Sequence, residues 1–105
     1  MSRDLPELVA KLCYSCDGFI VGGGAVQDDP RDYDVVIPFS EWNNAAMLIP
    51  ETARPNSFGG WECKSEGYQV DVWPAELSKL MTYHKMTALW HPKSRSKYKK
   101  IECNK

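Results

Sequence analysis

The sequence predicts a small α+β domain, with α/β-like alternation, in which a mixed β-sheet is flanked by helices. Two observations support this class. Segments with apolar residues at helical spacing alternate along the chain with short runs of strand-like apolar alternation. The length of 105 residues suits a single domain with one core, and no internal repeat or linker interrupts it. We therefore expect one domain over residues 1–105 with a basic C-terminal segment over about 86–105.

The N-terminal half predicts two helices and two strands. Ser2 can cap a first helix, whose apolar residues recur at helical spacing and which ends before Asp17. Ser40 can begin a second helix that runs to about Leu48. The predicted strands are Phe19 to Val21 and Tyr33 to Ile37, with about one turn of helix between them.

The C-terminal half predicts a loop, a hairpin and a third helix. Proline, asparagine and glycine mark a loop over 50–60. Trp61 to Lys64 and Tyr68 to Trp73 form a hairpin around Ser65-Glu66-Gly67. Pro74 suits the first position of a helix with Leu77, Leu80 and Met81 on its apolar face.

Two aspartates begin the second predicted strand. Side chains two residues apart on a strand project to the same face, so Asp32 and Asp34 can together hold one hard cation. Carboxylates so close repel each other, and a Mg²⁺ ion between them would allow both to stay ionised. The alternative is a solvated turn behind Pro30, because proline and aspartate are common turn residues.

A third aspartate lies inside the hairpin. Alternation along residues 68–73 places Asp71 on the face opposite to Val70 and Val72. Aspartate is disfavoured in strands and costly to bury unpaired, so Asp71 is either a ligand or a residue on a solvated face.

The order of these features resembles the nucleotidyltransferase superfamily that includes DNA polymerase beta and the CCA-adding enzymes. In that family a strand ends in a glycine turn, a short helix follows, the next strand carries two acids and a later strand carries a third. Residues 18 to 73 match this order: Gly22-Gly23-Gly24 supplies the turn, Asp32-Tyr33-Asp34 the paired acids and Asp71 the third.

The resemblance implies a catalytic core that transfers a nucleoside monophosphate from an NTP, by a two-metal carboxylate mechanism, to a hydroxyl on RNA (a tRNA end included), a protein or a small molecule. Asp32, Asp34 and Asp71 would be catalytic and would bind Mg²⁺ or Mn²⁺. Gly22, Gly23 and Gly24 would approach the triphosphate, although a plain tight turn explains such glycines equally well.

The residues expected to contact the nucleotide differ from the family pattern in one respect and add one aromatic residue to it. The arginine that often follows the glycine turn is replaced here by Val26 or Gln27, so Arg31 or a C-terminal cation would take its part. Trp73 shares a strand face with Asp71 and could lie beneath the nucleotide base, whereas a core position is the usual fate of tryptophan.

Charge is distributed unevenly along the chain. Residues 79–105 contain eight Lys or Arg against Glu102, a net charge of +7, while residues 1–78 contain five against thirteen acids, a net charge of −8. An acidic half suits metal binding, and a basic tail attracts polyanions. Within the tail, Lys93, Arg95 and Lys97 are candidates for holding a triphosphate or an RNA end; the alternative is a solvated basic terminus.

Cysteine usage and hydropathy restrict the environment. Four cysteines without a secretory leader fit the reducing cytoplasm, and free thiols are favoured over a zinc site built from Cys13 and Cys16. No segment reaches the length of a membrane span, so we expect no membrane partner. The chain is too short for separate base-binding and acceptor-binding domains, so we expect substrate recognition to come from the C-terminal segment, from a second copy of the chain in a homo-oligomer, or from a partner protein.

Three functions therefore compete. The first is the metal-dependent nucleotidyltransferase. The second is a catalytically degenerate relative that serves as an antitoxin-like or interaction module. The third is an RNA-binding module that uses the basic tail, with the acids merely structural.

Overall fold

A computed structural model describes residues 5–26, 30–76 and 89–92. They form a six-stranded sheet with three α-helices, and this confirms the predicted α+β class with a mixed sheet. In chain order the elements are α1 (Glu7–Ser15), β1 (Phe19–Val21), α2 (Gly23–Val26), β2 (Asp32–Pro38), a turn of 3-10 helix (Phe39–Glu41), α3 (Trp42–Ala46), β3 (Arg54–Pro55), β4 (Trp61–Ser65), β5 (Tyr68–Ala75) and β6 (Leu89–Trp90).

The strand order is β3-β4-β5-β2-β1-β6. Strands β2 and β5 pair in parallel, and the other neighbours pair antiparallel. β2 is central, and its residues Val35, Val36 and Ile37 are fully buried on both faces. Such a continuous apolar run is typical of a central strand that is covered on both sides.

The two sheet faces differ in character. One face packs against residues of all three helices and forms the main core, which includes Val9, Leu12, Ala25, Tyr33, Val35, Ile37, Ala45, Val70 and Val72. The opposite face carries a smaller apolar cluster of Val21, Val36, Trp73 and Ala75. The aspartates of β2 and β5 project from this second face, because they alternate with the core residues along each strand.

Helix α1 begins later than predicted. It starts at Glu7 after Pro6, whereas Ser2, the expected cap, lies outside the described residues. Its buried residues fall at helical spacing, and Glu7 in the first turn interacts favourably with the helix dipole. The helix ends where Asp17 adopts a φ of 57°, and Gly18 donates a backbone hydrogen bond of 2.9 Å to the carbonyl of Leu12.

Three further predictions were wrong in detail. Pro74 does not begin a helix: it lies within β5, opposite Ile37, and the predicted helix residues Leu77, Leu80 and Met81 lie outside the described residues. Ser40 lies in the 3-10 turn, so α3 starts at Trp42 and ends at Ala46, before Leu48. The predicted loop contains the short strand β3.

The predictions for the first two strands and for the short helix between them are confirmed. Strand β1 has the predicted bounds, β2 extends the predicted strand by one residue at each end, and a helix of one turn lies between them. Leu89 and Trp90 form β6, which pairs with Val21 and Ile20 of β1. No helix in the described parts of the chain has the length and apolarity needed to cross a membrane.

Candidate active site

Asp34 and Asp71 lie in one row, by which we mean the set of paired residues that runs across neighbouring strands of the sheet. Their Cα atoms are partners in the parallel pairing of β2 with β5. Neighbouring strands lie about 4.8 Å apart, and paired residues project to the same face. The two aspartates predicted from the sequence to share a site are therefore direct neighbours, although 36 intervening residues separate them in the chain.

The row continues with further charged residues. Glu62 on β4 is the partner of Asp71 in the antiparallel β4–β5 pairing, and Arg54 on β3 is the partner of Glu62. On the other side, Asp34 is paired with Val21 of β1. Glu62 is thus a fourth carboxylate of the site, and sequence reasoning missed it.

Asp32 lies one step away along β2. It is paired with Gln69 and is exposed, whereas Asp34 and Asp71 are partly buried. Asp32 and Asp34 are two residues apart on one strand, so both project from the same face, as predicted. The structure therefore brings all three predicted acids to one face of the sheet, and Asp32 is the most exposed of them.

Electrostatic repulsion acts on Asp34. Burial raises the pKa of its carboxyl group to about 6, and the charges of Asp71 and then Asp32 add to the increase. Within the described residues, no ion pair neutralises any of these three aspartates. A cation placed between Asp34 and Asp71 would relieve this repulsion and favour the ionised form of Asp34.

The chemistry of the donors fits Mg²⁺ or Mn²⁺, which take carboxylate oxygens as ligands. In the described part of the chain, no three His, Cys, Asp or Glu side chains are gathered into a complete metal site. Asp34 and Asp71 are Cα partners across the β2–β5 pairing, and Asp32 lies two residues before Asp34 on β2. A metal site built from Asp32, Asp34 and Asp71 would therefore require the exposed side chain of Asp32 to turn toward the other two.

The glycine turn borders Asp34. Gly22 follows β1 directly and has a φ of +75°, a conformation that L side chains rarely adopt. A Cβ atom at Gly22 would lie 3.8 Å from Oδ2 of Asp34. The turn therefore runs beside the carboxylate of Asp34. Gly23 and Gly24 follow in α2, and Gly24 packs against Ile20 and Tyr33, which is a structural role.

Asn56 fixes the orientation of Asp71. Its Nδ2 donates to Oδ1 of Asp71 at 3.2 Å and to the carbonyl of Trp61 at 2.9 Å. Its Oδ1 accepts from the backbone N–H groups of Phe58 at 3.0 Å and Gly60 at 2.9 Å. These bonds tie the loop before β4 to the third aspartate. Asparagine followed by a Gly-Gly turn was a local signal for this loop, but the contact with Asp71 depends on the fold.

Trp73 lies next to the acids but is buried. Its exposed fraction is 6%, and the ring of Phe58 covers it with a centroid separation of 4.7 Å. Phe58 itself is 55% exposed. The structure thus places Trp73 in the smaller core cluster and Phe58 at the surface above it.

Of the predicted cations, only Arg31 lies within the described residues. Arg31 is exposed and directly precedes Asp32, and its carbonyl accepts a 3.4 Å hydrogen bond from the backbone N–H of Gln69. Lys93, Arg95 and Lys97 lie outside the described residues, so their contact with a triphosphate or RNA stays a prediction.

The cysteines lie in the core. Cys13, Cys16 and Cys63 are buried, and burial raises the pKa values of Cys16 and Cys63. A buried thiol with a raised pKa is a poor nucleophile and a poor metal ligand. Cys13 and Cys16 both pack in the main core beneath the sheet.

No protein-family model, no curated protein and no solved structure matches this chain. A functional interpretation therefore depends on the arrangement of the residues described above.

Proposed function

We propose that this chain is a metal-dependent nucleotidyltransferase that moves a nucleoside monophosphate from an NTP to a hydroxyl acceptor. The observation that carries the proposal is the pairing of Asp34 with Asp71, with Asp32 on the same face and the Gly22 turn beside Asp34. Strand β2, which carries Asp32 and Asp34, pairs antiparallel with β1 and parallel with β5. It therefore holds these two acids between the Gly22 turn and Asp71.

The reaction makes and breaks one bond each at the α-phosphorus. The acceptor oxygen bonds to the α-phosphorus, the bond from that phosphorus to the bridging oxygen breaks, and pyrophosphate leaves. Mg²⁺ or Mn²⁺, when bound, neutralises charge on the phosphates and on the two oxygens that enter and leave. Asp32, Asp34 and Asp71 would hold the metal.

Asp71 is the candidate base for the acceptor hydroxyl. Its Oδ1 is engaged by Asn56, and Oδ2 has no hydrogen-bond partner among the described residues. Oδ2 is thus available to accept the hydroxyl proton while Asn56 holds the carboxylate in place. The acceptor is a hydroxyl on RNA, a protein or a small molecule, and a second copy of the chain or a partner protein would contribute to its binding.

The buried thiols of Cys16 and Cys63 support a reducing compartment, for which we propose the cytoplasm.

Transfer is tested directly with NTPs labelled at the α-phosphate. The protein is incubated with each NTP, Mg²⁺ or Mn²⁺, and RNA, tRNA or protein acceptors, and labelled product and pyrophosphate are measured. Asp34→Asn and Asp71→Asn should each abolish transfer and metal-dependent NTP binding. Glu51→Gln, which changes an exposed carboxylate in the loop after α3, is the matched control and should retain both.

Three outcomes are informative. Label transfer that requires Asp34 and Asp71 supports the transferase. Metal-dependent NTP binding without transfer to any acceptor favours the degenerate binding module. RNA binding that persists in both aspartate variants, with no NTP binding, favours the RNA-binding module.

A further inference from the structure

We propose that Phe58 is the platform on which the base of the nucleotide stacks. This inference depends on the proposed function, because the acids of the same face would hold the phosphates. It assigns the base contact to Phe58, which no sequence pattern singled out, in place of Trp73.

The exposure of the two rings supports this assignment. Trp73 is 6% exposed, so its ring offers little surface to a ligand. Phe58 is 55% exposed and is supported from below by Trp73 at a centroid separation of 4.7 Å and an interplanar angle of 32°. One side of the Phe58 ring is thus packed in the protein, and a substantial part of it remains open to solvent.

The position of Phe58 is coupled to the acids. Asn56 accepts a hydrogen bond from the Phe58 backbone N–H at 3.0 Å and donates one to Asp71 at 3.2 Å. A single side chain therefore links the backbone of Phe58 to the carboxylate that would serve as base. Trp73, the support of the ring, is two residues beyond Asp71 on the same strand face.

Chemical complementarity identifies the ligand. A nucleotide combines a polyanionic phosphate chain, which a metal held by the acids would bind, with a flat aromatic base, which stacks on an aromatic ring. Stacking does not depend on base identity, because every base has a π-face. We therefore expect all four NTPs to bind, with the purine nucleotides tighter because their larger rings bury more surface.

The test separates the base from the phosphates. Binding of ATP and of inorganic tripolyphosphate, each with Mn²⁺, is measured by calorimetry on the wild type, Phe58→Ala, Phe58→Leu and Phe58→Trp. Leucine keeps an apolar cover over Trp73 without an aromatic face, so a loss in that variant is not explained by exposure of Trp73. Tyr14→Ala is the matched control, because Tyr14 is a similarly exposed aromatic residue, at 50%. It belongs to α1, which packs on the sheet face opposite to the acids.

Alanine and leucine at position 58 should weaken ATP binding roughly ten- to a hundredfold and leave tripolyphosphate binding unchanged. Tryptophan should retain ATP affinity, and Tyr14→Ala should alter neither ligand. Equal losses for ATP and tripolyphosphate, or no loss for either, would overturn the platform.

The same two titrations, repeated on Asp34→Asn and Asp71→Asn, distinguish this proposal from the proposed function. If tripolyphosphate binding requires Asp34 and Asp71 but ATP binding does not respond to Phe58, the acid site stands and the platform is wrong. If neither ligand binds in an aspartate-dependent way, both proposals are wrong.

Discussion

Asp34 and Asp71 lie directly opposite each other on neighbouring parallel strands, and their carboxylates share the sheet face opposite to helix α1. Burial and the charges of Asp71 and Asp32 raise the pKa of Asp34 to about 6. The fold therefore holds like charges together at a cost in stability. Such an arrangement is common at functional sites, where ligand binding compensates the repulsion.

The first prediction concerns the pH dependence of stability. The pKa of Asp34 is raised on folding, so its protonated form favours the folded state at low pH, and this contribution is lost as the pH rises through about 6. Asp34→Asn should therefore be more stable than the wild type at pH 7 and close to it at about pH 4. Solvent screening of this partly exposed group limits the gain to about 1 kcal/mol, or about 5 °C in Tm.

Thermal denaturation between about pH 4 and pH 8 measures this difference. Glu51→Gln is the control, and its difference from the wild type should not change with pH in this range. A constant difference between Asp34→Asn and the wild type would contradict the predicted repulsion.

The second prediction concerns stabilisation by metal. A ligand that binds the folded state alone stabilises it by about 2.7 kcal/mol at a hundred times its dissociation constant. Mn²⁺ should raise the Tm of the wild type at pH 7, and the increase should shrink below about pH 6, where protonation of Asp34 competes with the metal.

Asp34→Asn and Asp71→Asn should show little increase with Mn²⁺ at any pH. Ca²⁺ and Mn²⁺ titrations followed by differential scanning fluorimetry give the comparison between metals. An equal increase in the wild type and in both variants would place the metal elsewhere.

The sequence predicted the strands of the site better than their pairing. Asp-x-Asp before Val35-Val36-Ile37 defines β2 and its acid-bearing face through simple alternation, and this required no tertiary information. The predicted three-residue turn of the hairpin was one residue too long. Glu66 and Gly67 form a two-residue turn with φ values of 53° and 86°, which pairs Ser65 with Tyr68.

That one-residue difference decides which residue faces Asp71. With the two-residue turn, the register places Glu62 opposite Asp71, whereas the predicted turn would have paired Asp71 with Trp61. The contact of Asn56 with Asp71 was similarly hidden, because a loop hydrogen bond to a strand depends on where the loop folds back. Pro74 was misjudged because proline favours a helix start locally, while its pairing with Ile37 depends on the parallel strand.

The third prediction concerns Asn56. Removal of its side chain in Asn56→Ala leaves two backbone N–H groups and Asp71 without their partner, which should destabilise the fold by about 2 kcal/mol. We also expect weaker Mn²⁺ binding, because Asp71 loses its fixed orientation.

Asn44→Ala is the control for this variant, since Asn44 makes one exposed side-chain bond of 3.0 Å to Glu41. It should change stability by less than about 0.5 kcal/mol. Chemical denaturation and Mn²⁺ titration are the measurements, and an Asn56→Ala variant as stable as Asn44→Ala would contradict the prediction.

The fourth prediction compares two adjacent glycines. A Cβ atom at Gly60 would collide with the carbonyl oxygen of Val72 and lie 2.7 Å from the Cα of Trp73, both in the backbone of β5. Gly60→Ala should therefore destabilise the fold by about 3 kcal/mol or more. Gly59 has open space around it and a φ of +88°, so Gly59→Ala should cost about 1 to 2 kcal/mol, from backbone strain alone.

Urea denaturation of both variants tests this difference. Gly60→Ala should also perturb the Trp73 environment, which near-ultraviolet circular dichroism detects. If the two variants have equal free energies of unfolding, the close approach of the loop to β5 is wrong.

The fifth prediction concerns the attachment of β6. Residues 89–90 pair with β1 through two residues, and His91 follows with Nε2 at 3.6 Å from Oδ1 of Asp17. The ring of Phe19 packs on His91 at 4.4 Å, so the imidazole is held between an acid and an aromatic ring. Asn tolerates the positive φ of Asp17, and Asp17→Asn therefore removes the charge without backbone strain.

Asp17→Asn weakens this contact and should destabilise the chain by about 0.5 to 1 kcal/mol. Lys11→Gln, which breaks the exposed 3.2 Å pair with Glu7, is the control and should change stability by less than about 0.5 kcal/mol. Hydrogen exchange at the backbone N–H of Trp90 reports on the attachment itself. Faster exchange of this N–H in Asp17→Asn than in Lys11→Gln is expected, since the contact of His91 with Asp17 lies next to the β6 pairing. Equal exchange would show that this contact does not help to hold residues 89–92 in place.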